Sequence, residues 1–211
     1  MSKVWDKIYE SDSAFFGEEP SNFATLCFRE LKTIIVKKLL ELGAGHGRDS
    51  IFFVSNGIQV EALDYSKAGI EILINRARKE VKELQINSQT FDVRNALPFP
   101  NNYFDAVYSY MFLNMKFSQE ELYFVISEIG RVLKDRWFNF FSVRNDHDAC
   151  YKKGTEIEKD IYDINGFEIR FFTKTDIQDL IRRHFRLIWI KEEFEEPVTL
   201  YLINSRKNPF Q

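Results

Sequence analysis

The sequence predicts an α/β fold: a mostly parallel sheet with helices on both faces. From residue 34 onward, apolar runs of strand length alternate with segments of helical period, the pattern of strand–helix–strand units. Two last runs, Leu187–Lys191 and Thr199–Asn204, are separated only by the short Glu192–Pro197 link, so the chain should end in an antiparallel pair. A length of 211 residues suggests one domain, and 45% hydrophobic with 29% charged residues excludes a disordered or low-complexity chain.

Five parallel strands are expected, at Lys38–Leu42, Val60–Leu63, Ser88–Phe91, Ala106–Tyr110 and Phe138–Val143. A helix follows the first, from Asp49 to about Asn56, and Gly57 stops it. Ile70, Leu73, Ile74, Ala77, Val81 and Leu84 share one face of a second helix, with Glu71, Arg78, Lys79 and Lys82 on the other. Ser118 and Glu121 form a capping box ahead of a third helix carrying Leu122, Val125, Ile126, Ile129, Val132 and Leu133. Thr173 and Asp176 do the same for a fourth, carrying Ile177, Leu180 and Ile181, and His184 then stands near a helix end, where a cation is favourable. Between these two helices, Glu156–Ile164 and Phe167–Phe172 flank Asn165–Gly166, a strong hairpin signal.

Lys plus Arg total 29 against 32 for Asp plus Glu, a net charge of −3, which disfavours nucleic acid as the main partner. No apolar run reaches the ~18 residues of a membrane span, and the polar start lacks a signal-peptide core, so no membrane association and a cytoplasmic location are expected. Cys27 and Cys150 are too isolated for a zinc site or disulfide framework, and no metal site is expected. Nothing in the sequence sets an oligomeric state.

The most informative stretch is Glu41–Leu42–Gly43–Ala44–Gly45–His46–Gly47–Arg48, where a strand runs into three alternating glycines and then a helix. Glycine suits a backbone that must turn sharply and approach a ligand closely, and a helix N-terminus favours an anionic group. His46 more readily shapes this loop than reacts. Asp64 follows the next strand, 21 residues beyond Gly43, at the spacing where a carboxylate meets ribose hydroxyls in dinucleotide-type folds. A nicotinamide fingerprint would place its third glycine at Arg48, and this sequence does not.

The glycine pattern preceded by Glu41 resembles motif I of class I S-adenosylmethionine-dependent methyltransferases. Phe91–Asp92–Val93, Leu97–Pro98–Phe99–Pro100, Tyr103–Phe104–Asp105–Ala106–Val107 and Ser109–Tyr110 continue the resemblance in order, over about residues 36–145. The aromatic start Trp5…Tyr9…Phe15–Phe16–Gly17 and the Gly47–Arg48–Asp49–Ser50 helix start are similar to the tellurite-resistance and thiopurine methyltransferase branch. The resemblance implies a seven-stranded sheet in the order 3-2-1-4-5-7-6. It implies S-adenosyl-L-methionine as cofactor, held by Glu41, Gly43, Ala44, Gly45, Gly47, Arg48, Asp64, Tyr65, Asp92, Val93 and Tyr108. The family's Pro-Gly-Gly turn into the fifth strand is replaced by Lys134–Asp135–Arg136–Trp137, so either the turn is built differently or the chain is short by some residues there.

The expected layout is a helical cap (1–33), a cofactor-binding core (34–145), a hairpin lid (146–172) and a C-terminal helix with a strand pair (173–211). Ligands in such sheets sit beyond the strands' carboxyl ends. Phe15, Phe16, Tyr110, Asn114, Arg144, Asn145, Tyr162 and Phe171 are therefore candidates to line an acceptor site. His147, between Asp146 and Asp148, is the candidate general base. The function implied is methyl transfer to a small molecule, with a lipid-quinone or similar apolar acceptor as one alternative and a cofactor-binding regulator without turnover as another.

Overall fold

The computed structural model describes residues 2–13, 15–80 and 86–209. The chain forms two compact units. One takes the chain up to Asn95 together with Phe104–Tyr108; the other takes Ala96–Tyr103 and the chain from Ser109 onward.

The first unit opens with helices α1 (Ser2–Ser11) and α2 (Asn22–Leu31). Ser21 caps α2 by accepting from the Ala24 N–H, and Phe23, Ala24, Cys27 and Leu31 recur at helical spacing on its buried face. There follow β1 (Lys38–Leu42), α3 (Arg48–Ser55), β2 (Gln59–Asp64), α4 (Lys67–Glu80), β3 (Ile86–Thr90) and β4 (Phe104–Ser109). The first four expected strands thus form within two residues of their expected bounds. Ile70, Leu73 and Ala77 turn inward on α4 as the period requires, whereas Val81 and Leu84 lie outside the described residues. Buried Asp105 at the start of β4 accepts from the Lys37 and Lys38 N–H groups at 2.8 and 3.0 Å, pinning the entry to β1.

The second unit comprises α5 (Gln119–Val132), β5 (Leu133–Arg144), β6 (Thr155–Glu158), β7 (Ile161–Ile164), β8 (Phe167–Arg170), α6 (Lys174–Ile181), β9 (Phe185–Glu195) and β10 (Val198–Lys207). Both expected capping boxes form, at Ser118/Glu121 and Thr173/Asp176. Asn165 and Gly166 both take positive φ (54° and 87°), the two-residue turn that matches strand twist. The insertion is larger than a hairpin, because β6 joins β7 and β8 in a three-stranded sheet.

The strands are ordered β3-β2-β1-β4-β5-β10-β9. β1, β2, β3 and β4 run parallel, and β10 is antiparallel to both β5 and β9. This is the expected order once β6–β8 are counted apart. The junction replacing Pro-Gly-Gly has no loop at all, since α5 passes directly into β5 at Leu133. The Asn102 and Tyr103 N–H groups donate to the Arg131 and Val132 carbonyls. The buried Lys207 ammonium bridges the Leu133 carbonyl, Asn102 Oδ1 and Asp135, so the helix end is closed from the far end of the chain. Among the described residues, no helix is long and apolar enough to cross a membrane.

Candidate active site

The glycine loop lies at the carboxyl end of β1, and Gly43, Gly45 and Gly47 have φ of 75°, 54° and 83°, a region that L side chains avoid. Two of these glycines are also demanded by space. A Cβ on Gly45 would lie 2.3 Å from the Tyr9 hydroxyl, and one on Gly47 would lie 2.4 Å from Leu73 Cγ. The loop is fastened to β2, with Gly43 and Ala44 N–H donating to the Leu63 carbonyl. Asp64 Oδ2 accepts from the Gly45 N–H at 2.7 Å, and Oδ1 accepts from the Ser66 N–H at 2.7 Å. Each oxygen keeps a further lone pair for a hydroxyl. Ser66 caps α4, accepting from Gly69 N–H and donating to Asp6 of α1.

Three carboxyl groups surround the loop. Glu41 is buried and accepts from the Ser50 hydroxyl; burial, then the neighbouring Asp49, push its carboxyl well above the usual carboxylate range. Asp49 is buried and accepts from Ser21 N–H (2.7 Å), Ser21 Oγ (2.8 Å) and the Tyr108 hydroxyl (2.7 Å). Tyr108 is fully buried, and burial followed by Asp49 holds its hydroxyl protonated well above the ordinary range. Burial raises Asp64, although its backbone hydrogen bonds from Ser66, Gly45 and Tyr65 oppose the shift.

The N-terminal segment is clamped onto this loop. The His46 ring lies 2.7 Å (Nε2) from the Gly17 carbonyl and is stacked on Phe16; burial lowers its pKa, so the neutral ring donates through Nε2. Arg48 donates to the Phe16 carbonyl, Arg76 to the Glu18 carbonyl, and Trp5 packs against both Tyr9 and Phe16. Phe15 meets Phe16 edge-on and stays 50% exposed. Beyond β3, Asp92 is held below the usual carboxylate range by a bidentate pair with Arg94, whose guanidinium lies 5.5 Å from the centre of the Tyr65 ring. Val93 beside it is buried.

In the second unit, Tyr162 and Phe171 are buried with Ile169 in the small core of the three-stranded sheet instead of facing outward. Arg144 is committed to a buried bidentate pair with Asp148, at 3.0 and 2.5 Å, and lies over Phe171. Tyr110 donates to Glu195. The Asn114 side chain is fully buried with no hydrogen-bond partner among the described residues, while its carbonyl accepts from the Arg170 N–H. His147 Nδ1 lies 2.6 Å from Glu192 Oε2, and that same oxygen accepts from Asn145 Nδ2 at 3.0 Å. His184 lies beyond α6; burial and the nearby Arg183 and Lys207 lower its pKa, so it is not the helix-end cation expected.

Tyr9, Asp49 and Glu192 escaped sequence reading as site residues. Asp49 stood beside Arg48 and could have been found as a buried acid in the first turn of α3. Glu192 reaches His147 across 45 residues, and no local pattern announces it.

Residues 39–136 match the family model of a methyltransferase domain. Among curated proteins no sequence matches the chain. Among solved structures, the chain is similar to an S-adenosylmethionine-dependent methyltransferase from Methanosarcina mazei, with a TM-score of 0.76 at 18% identity over 85% of this chain and 97% of that one. It is similar to a 1,6-didemethyltoxoflavin-N1-methyltransferase from Burkholderia thailandensis, solved with bound 1,6-didemethyltoxoflavin and S-adenosylhomocysteine, with a TM-score of 0.78 at 15% identity over 98% and 87%. The [4+2]-cyclase SpnF shares the fold too, with a TM-score of 0.75 at 14% identity over 98% and 95%. Residues 39–136 are thus similar to a methyltransferase domain, and the chain shares its fold with these solved structures.

Proposed function

We propose that this protein is an S-adenosylmethionine-dependent methyltransferase acting on a small-molecule acceptor. The observation that carries the reading is the loop of three positive-φ glycines at the end of β1, fastened through Gly45 to Asp64 at the end of β2, inside the matched methyltransferase region.

The residues present fit the cofactor. Gly43–Gly47 forms a tight turn in which a side chain at Gly45 or Gly47 would collide with Tyr9 or Leu73 and displace the loop. Asp64 can accept from ribose hydroxyls through its remaining lone pairs, and Tyr65, Asp92 and Val93 stand ready for the base. The three carboxyl groups Glu41, Asp49 and Asp64 suit a ligand that carries positive charge. S-adenosylmethionine, when bound, would supply an electrophilic methyl group on a sulfonium centre, with a neutral thioether as the leaving group. The protein's own work is then to bind, orient and exclude water.

A second reading is binding of the cofactor without methyl transfer, since one fold can host different activities, as the cyclase sharing it illustrates. Calorimetric titration with S-adenosylhomocysteine, followed by incubation with labelled cofactor and a panel of acceptors, separates the two. Asp64→Ala should weaken binding on the order of 100-fold through two charge-assisted hydrogen bonds of ~1.5 kcal/mol each. It should also lower stability by about 1–3 kcal/mol, because the Gly45 and Ser66 N–H groups lose their acceptor. Unchanged affinity would remove Asp64 from the site, and binding without any S-adenosylhomocysteine production would favour the second reading.

A further inference from the structure

We propose that the carboxyl cluster beside the glycine loop gives up one proton when S-adenosylmethionine binds, and that Glu41 is the group that releases it. This rests on the cofactor-binding half of the reading above. Glu41 lies two residues before Gly43, opposite Ala62 of β2 and Tyr108 of β4, and is 3% exposed. Asp49 and Arg48 of α3 and Asp64 of β2 act on it by charge, and it acts in turn on the hydroxyls of Tyr108 and of Tyr9 on α1. The three acids differ in what supports their charge. Asp49 accepts from two hydroxyls and one N–H, and the Arg48 guanidinium stands 3.8 Å from it. Asp64 accepts from the Gly45 and Ser66 N–H groups. Glu41 accepts from the Ser50 hydroxyl. Each donor aimed at a carboxylate stabilises its charge, so a buried carboxyl with fewer donors beside another carboxylate is the one that keeps its proton. Glu41 is that group, and the upward shift that burial and then Asp49 impose on it agrees.

S-adenosylmethionine is positively charged overall at neutral pH, because its sulfonium and ammonium outnumber its carboxylate. Positive charge brought to the glycine loop favours the ionised form of each nearby carboxyl group, and the group that still has a proton responds. The O–H bond of Glu41 breaks, the electron pair stays on the carboxylate oxygen, and the proton passes to water. The Ser50 hydroxyl already donates to Oε2 and stabilises the new charge. By linkage, a ligand that binds the deprotonated form better must bind more tightly as pH rises. Affinity therefore climbs by up to about tenfold per pH unit while Glu41 is protonated in the free protein, and levels off once it is not. S-adenosylhomocysteine lacks the sulfonium charge and drives the release less.

The test uses the full chain and both ligands. Titration calorimetry at neutral pH, in buffers of different ionisation enthalpy, should count about one proton released per S-adenosylmethionine bound and a smaller fraction for S-adenosylhomocysteine. The infrared spectrum should show the carbonyl stretch of a protonated buried carboxyl, lost as S-adenosylmethionine binds. Glu41→Gln stays neutral, so it should lack that band, release no proton and bind with an affinity that is flat in pH. Ser50→Ala removes the donor to the carboxylate and should move the pH profile of affinity upward, which a merely structural role would not do. The proton count in the wild type needs no variant to fold. Tight binding with no proton released would overturn the proposal. Undiminished release in Glu41→Gln would overturn the assignment to Glu41, and equal release by the two ligands would overturn the part played by charge. The two readings fail separately: binding without proton release removes this inference alone, whereas failure of both ligands to bind removes the cofactor reading and this inference with it.

Discussion

The glycine loop and the segment following β5 are both rich in buried polar groups, and they organise them in opposite ways. Around the loop, Glu41, Asp49 and Asp64 are like charges gathered together, each accepting from a hydroxyl or a backbone N–H. Around β5, charged groups stand as opposites in pairs: Arg144 with Asp148, Lys207 with Asp135, and the more exposed His147 with Glu192. Paired opposites lower the energy of the fold itself. Burial raises the carboxyl groups of Glu41 and Asp64, Asp49 adds to the shift of Glu41 and Asp6 to that of Asp64, and a cationic ligand would relieve that. On the function proposed above, the contrast separates a region that would serve a ligand from one arranged chiefly for its own architecture.

The largest expected effect tests the architectural side. Asp148→Ala leaves Arg144 buried without its partner and removes the acceptor of the Thr199 and Cys150 N–H groups. Chemical denaturation should record a loss of about 3–5 kcal/mol. Affinity for S-adenosylhomocysteine should stay within a few-fold, and a large loss of affinity would break the contrast. Gly45→Val tests the other side. A β-branched residue at φ 54° against the Tyr9 hydroxyl costs about 1–3 kcal/mol of strain and should weaken cofactor binding ~100-fold or more by titration. Normal binding by a folded variant would contradict the loop assignment.

The acid cluster has a pH signature. The folded-state pKa of Glu41 is raised, so its contribution to stability is fully present below the ordinary carboxylate value and is lost as pH rises through the folded value. Glu41→Gln keeps an acceptor for Ser50 and removes the ionisation. Its melting temperature should match the wild type near pH 4–5, at about the ordinary carboxylate pKa, and exceed it by a few degrees in alkaline buffer. A constant difference across that range would show that Glu41 is not strained by its neighbours. The smallest effect belongs to Asn114→Leu, which replaces a buried amide lacking a partner with an apolar chain of similar size. Stability should rise by about 1 kcal/mol with cofactor affinity unchanged, measured by denaturation and titration. A destabilised variant would mean that the amide has a role in holding the second unit.

The alternation of strands and helices, the glycine loop, both capping boxes and the Asn165–Gly166 turn were determined by the sequence alone. Each is local: a positive φ that only a few residues tolerate, a hydrogen bond closing within three residues, or a period repeated along one element. Only the tertiary structure decided which partners the side chains found. It put Tyr9 against Gly45, turned Arg144, Tyr162 and Phe171 inward, set Glu192 on His147, and closed the α5–β5 junction with Lys207 from 74 residues away. A charge or hydroxyl carries no record in its neighbours of a partner that distant. Its burial and its partner are both consequences of how the sheet orders its strands, and that order exists only once the chain has folded.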